Sequence, residues 1–194
     1  TRDDADSELR EAVDSLRYFG ARCAAEFAGP LDLPGPTGES NRIELHGRGA
    51  FICIIPPASA LADFARQVAA ALAAGNTVLV APDEQAEQVA REAVHLMHAA
   101  GVPGDVLQLL PAAGALSAAG ELMLRPELGG VAFSGAAETA RQINRRMAER
   151  DGPIVPLVIE PDGPRYLYRF AAERTVSVDT TAAGGNASLM SLEG

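Results

Sequence analysis

Apolar residues recur at Leu9, Val13, Leu16 and Phe19, three and four positions apart, which lines them along one face of a helix. Asp4 or Asp6 supplies an N-cap in front of it, and the pattern carries the helix toward Ala28. Periodicity then stops. Gly29 to Asn41 holds three prolines and three glycines, the composition of an ordered loop or linker. Arg42 to His46 alternates polar and apolar residues, Gly47 and Gly49 permit a tight turn, and Ala50 to Ile55 is rich in branched apolar side chains. The spacing predicts a strand hairpin over 42–55.

Beyond it the rhythm changes. Leu61 to Ala74 reads as helix, Thr77 to Val80 as a short buried strand, Glu84 to Ala100 as helix and Asp105 to Leu110 as strand. A helix around Gly114 to Leu124, a strand at Gly130 to Phe133, a helix from Ala137 to Glu149 and a strand at Ile154 to Ile159 continue the series. Strands and helices in alternation, joined by a few residues, predict an α/β fold with a doubly wound, Rossmann-like parallel sheet. Arg165 to Phe170 and Glu173 to Asp179 alternate again as strands, and the residues after them have no period. The chain therefore divides into a main unit over 1–163 and a smaller piece over 164–194.

Composition narrows the function. Of the 194 residues, 47% are hydrophobic but only 5% aromatic and none is Trp, so the core is expected to be aliphatic. A formal net charge of −10 argues against nucleic acid as a partner, because such affinity rests on Lys and Arg displacing counterions. Cys23 and Cys53 lie in helix-like and strand-like surroundings without metal-ligand spacing, and read as buried free thiols in a reducing cytosol. No apolar run approaches the roughly 18 residues of a membrane span, and no signal peptide is legible. The first residue is Thr1, as in a processed chain or a domain taken from a longer one. His95 and His98 share a helix face and His46 lies apart; with no third ligand in range, surface histidines are expected and no metal. Arg141, Arg145, Arg146 and Arg150 are set among Glu138, Glu149 and Asp151, which favours local ion pairs or a protein contact.

Three motifs carry a resemblance. AlaAlaGlyAsnThrValLeu at Ala73 to Leu79 followed by Pro82, GlyValProGlyAspValLeuGlnLeuLeuPro at Gly101 to Pro111, and ValAlaPheSerGlyAlaAlaGlu at Val131 to Glu138 are similar, in order and spacing, to the aldehyde dehydrogenase superfamily. The likeness covers about Ala12 to Gly163. Within that superfamily, ProThrGlyGluSerAsnArg at Pro36 to Arg42 and the terminal stretch Arg174 to Met190 resemble proline utilization A. Those proteins, as the resemblance implies, join an FAD-dependent proline dehydrogenase to an NAD-dependent pyrroline-carboxylate dehydrogenase. Their long forms add a degenerate aldehyde-dehydrogenase-like domain at the C terminus, and this chain looks like that domain.

The resemblance also says what to look for. The family attacks the aldehyde with a Cys thiolate, stabilises the oxyanion with an Asn amide and activates water with a Glu. Here there is no Cys after Cys53, and the segment that carries the Asn reads Pro56, Pro57, Ala58, Ser59, Ala60. Glu160 stands at the position of the water-activating Glu, but Pro161, Asp162 and Gly163 replace the family's GlyGly pair, so a structural carboxylate is expected. The Lys that holds the adenosine ribose is Ala81. Phe133, Ser134 and Gly135 are retained at the start of a helix whose free N–H groups suit a pyrophosphate, but the next Ser is Ala136. No cofactor and no catalytic residue are expected in this segment.

GlyGlyAsn at Gly184 to Asn186 lacks the Lys and the following helix of a phosphate loop. The family places a β-flap here that resembles an oligomerisation flap and seals a substrate-channelling cavity. The 42–55 hairpin and the Glu173 to Asp179 strand would form it, with Arg174, Thr180, Thr181, Gly184, Gly185, Asn186 and Ser188 docking against the pyrroline-carboxylate dehydrogenase module of the same chain. A homodimer through the flap, and a bacterial cytoplasmic setting whose parent associates with the membrane, belong to the same expectation. The alternative is an NAD-binding domain, active or regulatory.

Overall fold

A computed structural model describes residues 1–112, 115–159 and 165–179. Helix α1 (Arg2–Glu26) opens the chain, followed by strands β1 (Leu31–Leu33), β2 (Glu39–Gly47) and β3 (Ala50–Ile55). Then come α2 (Ala60–Ala73), β4 (Thr77–Pro82), α3 (Glu87–Ala99), β5 (Leu107–Leu109), α4 (Ala115–Leu122), β6 (Leu128–Phe133), α5 (Ala137–Ala148) and β7 (Leu157–Val158). A 3-10 turn at Leu167–Phe170 leads into β8 (Ala171–Asp179).

Five strands form a parallel sheet in the order β5-β4-β3-β6-β7, the doubly wound arrangement that the alternation predicts. The central strand, β3, is buried on both faces. Phe51, Cys53 and Ile55 look toward a cluster with Phe19, Phe64, Val68, Tyr166 and Phe170. Ile52 and Ile54 look the other way, among Ala119, Met123, Val131 and Ile143. This is the two-per-turn alternation of a strand with helices on each side. The first core is not purely aliphatic: Phe19, Phe51, Tyr166 and Phe170 form a chain of ring contacts with centroids 4.8 to 5.9 Å apart.

A second, antiparallel sheet has the order β1-β2-β8. β2 and β8 pair over nine residues, from Glu39 opposite Asp179 to Gly47 opposite Ala171. The 42–55 hairpin does not form: β2 belongs to the small sheet and β3 to the parallel one. The two-sided apolar run of β3 suits a strand covered on both faces, whereas β2 alternates as a half-exposed strand does. The loop expected over 29–41 contains β1 and the start of β2. Arg165 to Phe170 is a turn rather than a strand, because Tyr166, Leu167 and Phe170 must all reach one core. The strand expected over 154–159 shortens to β7, and Ile154 is fully exposed.

Helix α1 starts one turn earlier than Asp4 or Asp6 would place it. Thr1 is the cap, its hydroxyl oxygen accepting from the Asp4 amide at 3.3 Å, and the Asp4 carboxylate reaches back to Thr1 to complete a capping box. Its buried residues are Ala12 and Phe19, while Leu9 and Leu16 remain largely exposed. α1 packs along α2. Cys53 is buried; Cys23 is only half-buried.

Both sheets meet at Asn76, which is 3% exposed. Its Oδ1 accepts from the backbone N–H groups of Arg48 and Gly49 at 2.6 and 3.2 Å, and its Nδ2 donates to the carbonyls of Ala71 and Phe170 at 2.9 and 3.0 Å. One side chain thus holds the bend between β2 and β3, the end of α2 and the entry to β8. The backbones approach so closely that a Cβ on Gly47 would sit 2.3 Å from the Gly75 carbonyl oxygen, which demands glycine there. Asn76→Ala removes four hydrogen bonds, of which the two to the Ala71 and Phe170 carbonyls are buried and the two from the Arg48 and Gly49 N–H groups part-buried, and an unsatisfied buried group costs about 1–3 kcal/mol. Urea denaturation of that variant is expected to show a loss of about 2 kcal/mol or more.

Candidate functional site

In a doubly wound sheet, crossovers leaving in opposite directions open a crevice at the carboxyl ends of the strands. Here it lies between β3, which feeds α2, and β6, which feeds α5. Ile54 pairs with Ala81 on one side and Phe133 on the other, so the positions singled out on β4 and β6 flank β3 at one level. The structure therefore brings Ala81 and the Phe133 to Ala136 segment to the same end of the sheet.

Each position can be read for what it offers a ligand. Ala81 is 1% exposed and packs into the core beneath the crevice. Gly135 has φ +148°, and a Cβ there would meet the Phe133 ring at 2.7 Å, so backbone conformation and packing both favour glycine. Ala136 is the exposed, extended N-cap of α5 and makes no side-chain cap bond. Ala58 is exposed in the loop after β3 and carries no donor beyond its backbone.

Ser134 is bound from within. Gln67 on α2, itself fully buried, donates from Nε2 to the Ser134 hydroxyl at 3.2 Å and to the Ile54 carbonyl at 3.3 Å. Ser134 is also hydrogen-bonded to Asp63, which lies one helical turn before Gln67. Asp63 pairs with Arg66 at 3.0 Å, and Arg66 reaches Glu11 on α1. Burial raises the Asp63 carboxyl above its ordinary range, opposed by the Ser134 hydrogen bond and the Arg66 guanidinium.

The N terminus of α2 is closed as well. Ser59, its N-cap, has φ 54° and makes no side-chain cap bond. The carboxylate of Glu8 on α1 takes over: its Oε1 accepts from the N–H groups of Leu61 and Ala62 at 2.8 and 3.3 Å. Glu8, Asp63 and Gln67 were not legible as site residues from sequence. The available signal was their position: polar side chains at the spacing of the buried face of α1 and within the mostly buried α2.

Other sequence candidates fall elsewhere. Arg174 is exposed on β8 opposite Glu44. Glu160, Thr180, Thr181, Gly184, Gly185, Asn186 and Ser188 lie outside the described residues. The His98 Nε2 is 2.9 Å from the Leu107 carbonyl and the His46 Nε2 is 2.9 Å from Glu44. Among the described residues no group of three or more His, Cys, Asp or Glu is placed to hold a metal ion. Arg141 pairs with Glu138 and Arg146 with Glu149, as local ion pairing on α5 requires. No helix among the described residues is long and apolar enough to cross a membrane.

Comparison with known proteins places this geometry. The sequence profile of the aldehyde dehydrogenase family matches residues 1–167. The bifunctional protein PutA of Rhizobium meliloti is 36% identical over 182 residues, 92% of this chain but 13% of that protein. The 1-pyrroline-5-carboxylate dehydrogenase of Bacillus subtilis is 32% identical, covering 92% of this chain and 33% of its own length. A crystal structure of proline utilization A from Bradyrhizobium japonicum superposes with a TM-score of 0.77 at 49% identity, over 82% of this chain and 16% of that one. The chain thus spans a small part of the relatives it matches.

The buried Asp63 gives a pH signature. Its carboxyl titrates higher in the folded state than its unstructured value of 3.8, so the folded state binds the proton more tightly. The penalty for burying the charge is present in full above the raised value and disappears as pH falls to the unfolded one. Relative to Asp63→Asn, the unaltered chain is expected to gain stability between pH 7 and pH 4, read by urea denaturation at both.

Proposed function

Because the chain belongs to the aldehyde dehydrogenase family, we propose that these residues form a non-catalytic structural and interaction module within a longer bifunctional chain. That chain, by its likeness to proline utilization A, oxidises proline to glutamate with FAD and NAD bound in other modules. The observation that carries the reading is the crevice itself: Ala58, Ala81 and Ala136 stand where donors are needed, and Ser134 is committed to Gln67 and Asp63. Loss of an oxyanion donor alone typically costs about 2.7–4 kcal/mol of transition-state stabilisation. Cys53, the last cysteine in the sequence, is sealed in the central strand, where burial raises its thiol pKa and keeps it protonated. In this reading the segment supplies no nucleophile, no oxyanion-donor side chain and no ribose clamp.

What remains is a surface. The small sheet β1-β2-β8 presents β8 as a nine-residue edge strand, with Val176 and Val178 about half exposed. Such an edge invites pairing with another chain or module. In this reading the unit over 1–163 is the degenerate Rossmann-like domain and 164–194 the flap strand and tail. The flap, with Arg174 and the tail residues Thr180, Thr181, Gly184, Gly185, Asn186 and Ser188, covers the pyrroline-carboxylate dehydrogenase module and its channelling cavity in the cytoplasm. A second copy pairing through the same edge belongs to this proposal.

The test is made in the longer chain. Truncation after Asp179 keeps β8 and removes the tail. Coupled conversion of proline to glutamate is expected to fall several-fold while proline oxidation, assayed with an artificial electron acceptor, stays unchanged. Coupled conversion at the full rate after truncation would overturn the covering role.

A further inference from the structure

Arg150 follows the last turn of α5, at the amino end of the parallel sheet and so at the opposite end from the crevice. The turn that returns the chain to β7 folds over its guanidinium. Nη2 donates to the Pro153 carbonyl, while Nη1 is buried and has no hydrogen-bond partner. Gly152 permits the fold: its φ is +119°, and a Cβ there would stand 3.4 Å from Nη1. Arg141 and Arg146, on α5 itself, have carboxylate partners in Glu138 and Glu149. A buried N–H of a charged group without an acceptor is costly, and Arg150 carries one.

The same guanidinium lines a cleft of about 320 Å³. Met147, Pro153, Ile154 and Val155 give the cleft apolar walls, and Asn144 adds one amide. Ile154 is fully exposed, so hydrocarbon resting on it leaves water. The volume suits a small molecule, whose sites begin at roughly 300 Å³. Charge narrows the kind. Residues 138–151 hold four arginines against three carboxylates, a local excess of positive charge in a chain whose net charge is −10.

We propose that this cleft binds a small carboxylic acid with a short branched aliphatic body, its carboxylate on Arg150 and its hydrocarbon on Met147, Ile154 and Val155. On binding, the guanidinium turns from the Pro153 carbonyl toward the cleft. One bond to a neutral carbonyl and one unmade bond are exchanged for a bidentate, charge-assisted pair, which is the stronger arrangement. The site is separate from the crevice and does not depend on the non-catalytic reading of it.

The experiment titrates isovalerate into the nitrogen-15-labelled chain, with chloride keeping ionic strength constant, and follows the backbone amides of Gly152, Ile154 and Val155. Saturable shifts in the millimolar range are expected, and chloride alone is expected to give none. Isovaleramide, the uncharged analogue, is expected to bind at least about tenfold more weakly, as is isovalerate to Arg150→Gln. No saturable response to isovalerate, or the same response to chloride, overturns the proposal. So does equal affinity for the amide, or an unchanged affinity in Arg150→Gln, since either shows a cleft that ignores the charge. Should Arg150→Gln give the spectrum of an unfolded chain, Arg150→Lys decides: it keeps the charge but loses the fork, and is expected to bind isovalerate several-fold more weakly. Unchanged affinity in that variant overturns the bidentate site.

Discussion

The buried amide of Asn76 is the constraint from which the rest of the arrangement follows. Its four hydrogen bonds leave little freedom for three separate pieces of chain: the bend at Arg48 and Gly49, the end of α2 at Ala71, and Phe170 just before β8. β2 and β8 leave from either side of this amide and pair over nine residues, so the small sheet is anchored to the parallel one at its base. The close approach of Gly47 and Gly75 is part of the same joint, since any side chain on Gly47 would push the two backbones apart. A polar group buried this completely is tolerated because all its donors and acceptors are used.

The same economy describes a fold whose core rests on no ligand. Stability resides in the two apolar layers either side of β3, and none of those contacts requires a ligand. The crevice above them is stitched from inside, by Gln67 and Asp63 to Ser134 and by Glu8 to the start of α2. Gly135 is accounted for by its φ of +148° and by the Phe133 ring beneath it.

Much of the architecture was legible because periodicity reports burial directly. The βα series from Ala50 to Val158 could be read from apolar runs and their spacing, and AlaGlyAsn at Ala74 to Asn76 marked the turn that joins the sheets. Errors came where a short pattern has two physical solutions. A glycine-bounded bend fits a hairpin or a transfer between sheets, and only the two-sided burial of β3 decides for the latter. Arg165 to Phe170 alternates like a strand, yet its apolar residues converge on one core through a turn of 3-10 helix. The proposed loss of donors at Ala58, Ala81 and Ala136 was read from sequence through the resemblance. What fills the site was not legible, because Glu8 and Ser134 act through partners far away in sequence.

The central claim is that the Rossmann-like fold persists here without its nucleotide site. Titration calorimetry of the folded 194-residue chain with NAD tests it most directly. The account predicts no saturable heat of binding; a saturable isotherm in the micromolar range would contradict it.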